Sequence, residues 1–231
     1  GMPLGIELAA AWGRTLTCAE IANELAHNFD LLTTTQPDVP ERHQNMRAVF
    51  AHSWDLLPAA QQRLLGQLAV FRRGFHQKAA QQICGAALRD LAALVDKSLL
   101  QRDEQQGRFV LHELLRQFPA EKQATTVDNR GRSVAERHCH YYLTWLATYT
   151  DTLQGEEPNL AVAAILPEID NLRQAWRWAV EHGEWAVLGR ALPAWRNFYH
   201  LRGLYREAGH WLLEALHHWP TATAERPIDP E

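Results

Sequence analysis

Between residues 43 and 111 the spacing of the apolar side chains changes character, and that change limits the folds open to this chain. Met46, Val49, Phe50, Ser53, Trp54 and Leu57 recur at helical intervals. Pro58 ends that helix and suits the first turn of the next, Ala59 to Phe71, with Leu64, Leu65 and Leu68 on its buried side. Arg72-Arg73-Gly74 reads as a turn, and His76 to Cys84 and Leu88 to Asp96 as two more short helices. The period then shortens. Ser98 to Arg102 and Arg108 to Leu111 read as strands around a polar turn containing Gly107. Three helices followed by a β-hairpin is the order of a winged helix. A further helix, Glu113 to about Ala124, leads out of it.

The flanks are helical. Leu4, Leu8, Ala11 and Trp12 mark a helix over residues 2–12 that Gly13 can end. Thr17 with Glu20 three residues on is a capping-box pattern, opening a helix that carries Ile21, Leu25, Phe29 and Leu32. Residues 33–40, with Pro37 and Pro40, have the composition of a linker. Residues 130–219 read as helix throughout and hold seven of the nine tryptophans, so the large aromatic surface of the chain is concentrated there. Leu172, Ala175, Trp176, Ala179 and Val180 form one stripe that stops at Gly183. Gly203, Tyr205, Ala208, Ala215 and Pro220 match the second half of a tetratricopeptide repeat, with Tyr199 at the aromatic position of the preceding helix. The expected fold is therefore mainly α. A winged helix (43–125) lies between a short N-terminal helical segment (1–42) and a TPR-like helical repeat domain (126–220), and a flexible tail (221–231) follows.

Charge and cysteine usage exclude several classes. Residues 43–125 carry eleven basic and seven acidic side chains, only mildly positive, while both flanks are acidic. That is not the dense basic patch of a strong nucleic-acid binder. No apolar run approaches the roughly 18–20 residues of a membrane span. Cys18, Cys84 and Cys139 are odd in number and far apart, which fits a reducing cytoplasm rather than a disulfide framework.

Four stretches, in order, carry a resemblance: GMPLGIELAAAW from Gly1, RHQNMRAVFAHSWDLLPAAQQRLLGQLAVFRRGF from Arg42, LVDKSLLQRDEQQGRFVLHELLRQF from Leu94, and EIDNLRQAWRWAVEHG with FYHLRGLYREAGHWLLEAL further on. Together they resemble the C-terminal part of bacterial STAND signal-transduction ATPases (NB-ARC or AP-ATPase-like) in transcriptional regulators of the LuxR and SARP type. The resemblance implies the end of a nucleotide module whose phosphate-binding front is missing, since no GxxxxGK[ST] occurs in the chain. Pro3 matches the family proline that packs on adenine. His112, in Leu111-His112-Glu113, matches the histidine of the MHD motif that reaches the β-phosphate of ADP, with leucine and glutamate replacing methionine and aspartate. These ADP contacts are expected only in a full-length parent, which would bind ADP or ATP with Mg. The chain itself is expected to hold no cofactor. The implied function is regulatory and non-catalytic, relaying nucleotide state to a helical arm that binds a protein or small-molecule effector. The expected partners are a nucleotide-binding domain in cis and that effector, with no membrane. The alternative is a DNA-binding winged-helix regulator.

Other residues have side chains of types that carry chemistry. His138-Cys139-His140 has metal-ligand types, but consecutive helical residues point about 100° apart and cannot converge on one ion. His217-His218 meets the same objection, so no metal site is expected. Asp170-Asn171 and Glu156-Glu157 are spaced as solvated helix faces and caps. No nucleophile–base or paired-carboxylate arrangement stands out, so no catalytic residue is assigned. On the helix Leu88 to Asp96, which would enter a DNA groove, Leu88, Leu91, Leu94 and Val95 take the inner face. That leaves Arg89, Asp90, Ala93 and Asp96 outside, too neutral for phosphate binding. Trp178, Trp195 and Trp211 can line a concave groove or belong to the core, the commoner fate of aromatic residues at helical spacing.

Overall fold

The computed structural model describes residues 15–21, 54–111, 116 and 131–219. Pro3, His112, the N-terminal helix, the linker at 33–40, most of the helix before Pro58, the lead-out helix and the tail lie outside the described residues. The chain divides into two compact units, 1–138 and 139–231.

At the start of the first unit the capping box forms as its spacing requires. Thr17 Oγ1 accepts from the Glu20 amide at 3.3 Å, and Glu20 Oε2 accepts from the Thr17 amide at 2.8 Å. The body of the unit runs α1 (Ala59–Leu68), β1 (Phe75–His76), α2 (Gln77–Cys84), α3 (Leu88–Asp96), β2 (Gln101–Asp103) and β3 (Arg108–Val110). That is the winged-helix order. The sheet has three strands rather than the two of a simple hairpin, in the order β1-β3-β2, all antiparallel, with Phe75 opposite Phe109 and Arg102 opposite Phe109 from the other side. A strand of two residues offers no period to read, so β1 was hidden in what reads as the start of a helix.

Leu65, Leu68, Phe71, Phe75, Ile83, Leu91, Leu94 and Phe109 are buried at the centre of this unit. Each such side chain contributes roughly 1.5–3 kcal/mol. Phe71 stacks on Phe75 at 4.3 Å between ring centroids. Gly74 makes the turn into β1 possible. Its φ is +135°, and an added Cβ would stand 2.9 Å from the Phe109 carbonyl oxygen. Arg108, itself buried, donates from Nη2 to the Gly74 carbonyl at 2.9 Å and ties the turn to β3.

Both short helices end in left-handed caps. Gly85 (φ +70°) follows α2, with the Ala86 amide reaching back to the Ala80 carbonyl. Arg137 Nε donates to the Ile83 carbonyl at 2.7 Å, satisfying another acceptor at that helix end. After α3 the same position is held by Ser98, at φ +57°, with the Leu99 amide donating to Leu94 O at 2.9 Å. A non-glycine residue there is strained by about 1–2 kcal/mol. Ser98→Gly is therefore expected to raise unfolding free energy by about 0.5–1 kcal/mol, part of the relief being offset by the looser unfolded chain. A urea melt with an unchanged or lower midpoint would contradict this.

The helix α4 (Val134–Ala147) begins in the first unit. From Cys139 onward the second unit consists of the rest of α4, α5 (Thr150–Gln154), α6 (Pro158–Ile165), a 3-10 turn (Leu166–Glu168), α7 (Ile169–Glu181), α8 (Trp185–Leu201) and α9 (Tyr205–His218). Helices α7, α8 and α9 pack on one another, and α8 also rests on α5. Two turns of one design join them. Gly183 (φ +71°) and Gly203 (φ +65°) each follow a helix, and the next amide, Glu184 or Leu204, donates to the carbonyl of Ala179 or Tyr199. This is the helical-repeat arrangement that the Gly203 and Tyr205 spacing predicts. No helix among the described residues is long and apolar enough to cross a membrane.

Candidate functional site

The arm formed by α7, α8 and α9 carries two features of functional interest, a polar clasp and an apolar groove. The Gly203 turn sets Glu207 in the first turn of α9, where the helix dipole favours a carboxylate. Three donors from three helices converge on its Oε1: Arg173 Nε of α7 at 2.6 Å, the Tyr199 hydroxyl of α8 at 2.8 Å and Trp211 Nε1 of α9 at 3.2 Å. Arg173 also donates from Nη1 to Asp170 at 2.8 Å. Partial burial would raise the Glu207 carboxyl, but the bonds from Tyr199, Trp211 and Arg173 outweigh it and hold the group below its ordinary value. Burial pushes the Tyr199 phenol up, so it remains a donor.

Beneath the clasp lies an aromatic core. Trp176 and Trp195 are stacked at 4.5 Å, and Trp211 meets Trp195 edge-on at 6.2 Å. Trp195 and Trp211 are thus core residues and not groove walls. Trp178, half-buried, stacks on His182 at 4.0 Å on another face of α7.

Beside Trp176 an open groove of about 340 Å³ lies between α8 and α9. Trp185, Leu188, Leu192, Leu216 and Trp219 wall it, with Trp176 behind them. The Trp185 and Trp219 rings meet at a tilt, 4.9 Å between centroids. Gly189 also lines it, and a Cβ added there would meet nothing within 4 Å. Four residues on, Pro193 sits inside α8 and has no N–H to donate to the Gly189 carbonyl. Neither Glu207 nor this groove carries a local sequence signal beyond the density of tryptophan around it.

The other nominated residues are dispersed. His138, buried in the first unit, meets Phe71 edge-on at 5.6 Å. Cys139 is buried, and His140 Nε2 lies 3.4 Å from Glu184 Oε2. His217 and His218 are exposed at the end of α9. Among the described residues no three His, Cys, Asp or Glu side chains could hold a metal ion. Asn171 is not part of a solvated face: it is fully buried and donates to Glu168 Oε2 at 2.8 Å, which also accepts from Tyr142 at 3.0 Å. On α3, Leu88 is 50 % exposed instead of facing inward, and Arg89 sits 3.7 Å from Asp90. In the first unit a smaller cavity of about 250 Å³ includes Cys84, Arg63 and Asp90. Burial pushes the Cys84 thiol up to about 12, so it is no nucleophile at neutral pH.

No protein-family model matches the chain. It is 36% identical over 215 residues to the protein named "Putative HTH-type transcriptional regulator Rv0890c" of Mycobacterium tuberculosis, and equally to Mb0914c of Mycobacterium bovis. Each match covers 87% of this chain and 24% of the relative. An uncharacterized protein of M. tuberculosis, Rv0894, is 35% identical over 133 residues, covering 53% of this chain and 34% of that protein. Among solved structures, the STAND protein with a tetratricopeptide repeat sensor PH0952 from Pyrococcus horikoshii matches with a TM-score of 0.37 and 17% identity, covering 90% of this chain and 34% of that one. The chain spans about a quarter of the length of the curated relatives that it matches over most of its own. It is homologous to that part of proteins named as HTH-type transcriptional regulators.

Proposed function

We propose that this chain is a non-catalytic regulatory segment of a STAND-type, ATP-dependent transcriptional regulator. It relays nucleotide state from a nucleotide-binding domain in cis to a helical arm that binds an effector. The observation that carries the reading is the succession of a winged-helix unit and a glycine-punctuated helical arm in a chain homologous to part of much longer regulators. In the parent, Pro3 and His112 would contact ADP, held with Mg by residues absent from this chain. A ligand that binds two arrangements with different affinity shifts their populations, and nothing more is needed for the relay. The free cysteines Cys18, Cys84 and Cys139 suit the cytoplasm in which such a regulator works.

The relatives' name favours a second reading, direct DNA binding by the winged helix. The exposed side of α3 speaks against it, because it offers Leu88, one Arg89 beside Asp90, and Asp96. Phosphate contacts supply most of the affinity for a duplex, and this face supplies few.

Calorimetry on the 231-residue chain should register no ADP or Mg–ATP binding up to about 1 mM. A full-length homologue carrying the same residues should bind ADP and lose about tenfold in affinity on replacement of the equivalent of His112 by alanine. Micromolar ADP binding by the chain alone would overturn the reading. Salt-dependent retardation of duplex DNA by the chain would establish the second one.

A further inference from the structure

We infer that the outer face of α8 and the turn into α9 form a docking surface for an acidic protein segment that also carries apolar side chains. The inference deepens the effector-binding reading of the arm, and rests on it, by making the effector a protein of stated chemistry.

Charge is segregated on this face. From Trp185 to Arg206 the chain carries four arginines, His200 and no aspartate or glutamate, although its net charge is −4. Arg190, Arg196, Arg202 and Arg206 are all exposed. Among the described residues none of the four pairs with a carboxylate; Arg196 reaches only the side-chain oxygen of Asn197, at 3.3 Å. The other two arginines of the arm are engaged within it. Arg173 holds Asp170 and Glu207, and Arg177 lies over the Trp211 ring at 5.4 Å.

The needs of the fold do not account for this set. Arg202, at the C-cap of α8, suits the negative end of that helix dipole. Arg206 stands in the first turn of α9, where the dipole disfavours a cation. Arg190 and Arg196 project from the solvent side of α8, a helix with no acidic residue to offset them. Solubility alone is served as well by both signs interspersed.

Apolar side chains lie among these cations and select the class of partner. Leu201, Leu204 and Tyr205 are 44 %, 38 % and 62 % exposed, and Tyr205 meets His200 edge-on at 5.7 Å. A phosphate backbone rewards cations alone, and exposed leucines gain nothing from it. A segment that mixes carboxylates with apolar side chains satisfies both halves of the surface. Guanidinium groups take carboxylates in bidentate pairs, and the leucines and tyrosine lose apolar area to the partner.

The test is fluorescence anisotropy of the full 231-residue chain with a labelled peptide repeating Glu-Glu-Leu-Asp, at low salt. Saturable binding is expected, weakening as salt screens the pairs. Arg190→Glu combined with Arg206→Glu should weaken it about tenfold or more, while the thermal midpoint stays near that of the parent because both side chains are exposed. Arg63→Glu combined with Arg89→Glu changes the net charge equally on exposed residues of the first unit and should leave the affinity within about twofold. A peptide with serine in place of leucine should bind about threefold or more weaker. Absence of saturable binding would overturn the inference. So would equal losses in the two double variants, equal affinity of the serine peptide, or displacement of the peptide by duplex DNA at lower concentration than by unlabelled peptide. The nucleotide titrations use neither this probe nor these variants, so the broader regulatory reading fails or stands separately.

Discussion

Trp195→Ala should destabilise the helical arm by about 3–5 kcal/mol, the range for deleting a large aromatic side chain from a close-packed core. Trp195 is only 1 % exposed. Its indole is stacked on Trp176, tilted against Tyr199 at 5.0 Å and met edge-on by Trp211. Those contacts join α7, α8 and α9, so alanine leaves a void shared by all three helices. Domains are typically stable by only about 5–15 kcal/mol, and much of that margin would go. Trp195→Phe is a sharper companion. The indole N–H of Trp195 is buried with no hydrogen-bond partner among the described residues. Phenylalanine keeps most of the ring and removes that unsatisfied donor, so the loss should fall to about 1–2 kcal/mol. Urea denaturation followed by circular dichroism measures both. An alanine variant within about 1 kcal/mol of the parent would show that the tryptophan cluster is not the core of the arm.

Replacing the clasp carboxylate is the second large effect. Glu207→Ala strips a shared acceptor from Arg173, Tyr199 and Trp211, and leaves two neutral donors, partly or fully buried, without that partner. A loss of about 2–3 kcal/mol is expected, most of it the penalty of stranded donors rather than the worth of the ion pair. Arg173 keeps Asp170, which limits the damage. The pH dependence follows from the direction of the shift. The Glu207 carboxyl is held below its ordinary value in the folded state. Its contribution is therefore complete above the unfolded value, about 4.3, and is lost as pH falls through the lower folded value. The stability gap between the parent and Glu207→Gln should be constant from about pH 6 upward and shrink below about pH 4. A gap that widens on acidification would refute the clasp.

The two predictions concern residues of different legibility. Trp195 sits in a stretch whose helical spacing and aromatic content are plain, and its burial is the ordinary fate of such a residue. Glu207 looked like any acid in a first helical turn. Nothing local indicates that Arg173 lies 34 residues upstream in sequence yet 2.6 Å away in space. The same limit explains Asn171, which follows the charged Asp170 in sequence yet is buried against the Glu168 carboxylate, and Leu88, an apolar residue at the start of α3 that stays 50 % exposed.

The chain's own residues dictate what depends on near neighbours. The capping box of Thr17 and Glu20, the exact span of α3, the glycine turns at 183 and 203 and the helices-then-hairpin order all arise from dihedral preferences and hydrogen bonds within a few residues. Tertiary structure alone decided the pairing of Phe75–His76 with β3, the convergence of three helices on Glu207 and the hollow beside Gly189. Periodicity tells which side of a helix is apolar. It carries no information about which neighbour arrives to cover that side, or where the covering stops short and leaves a space.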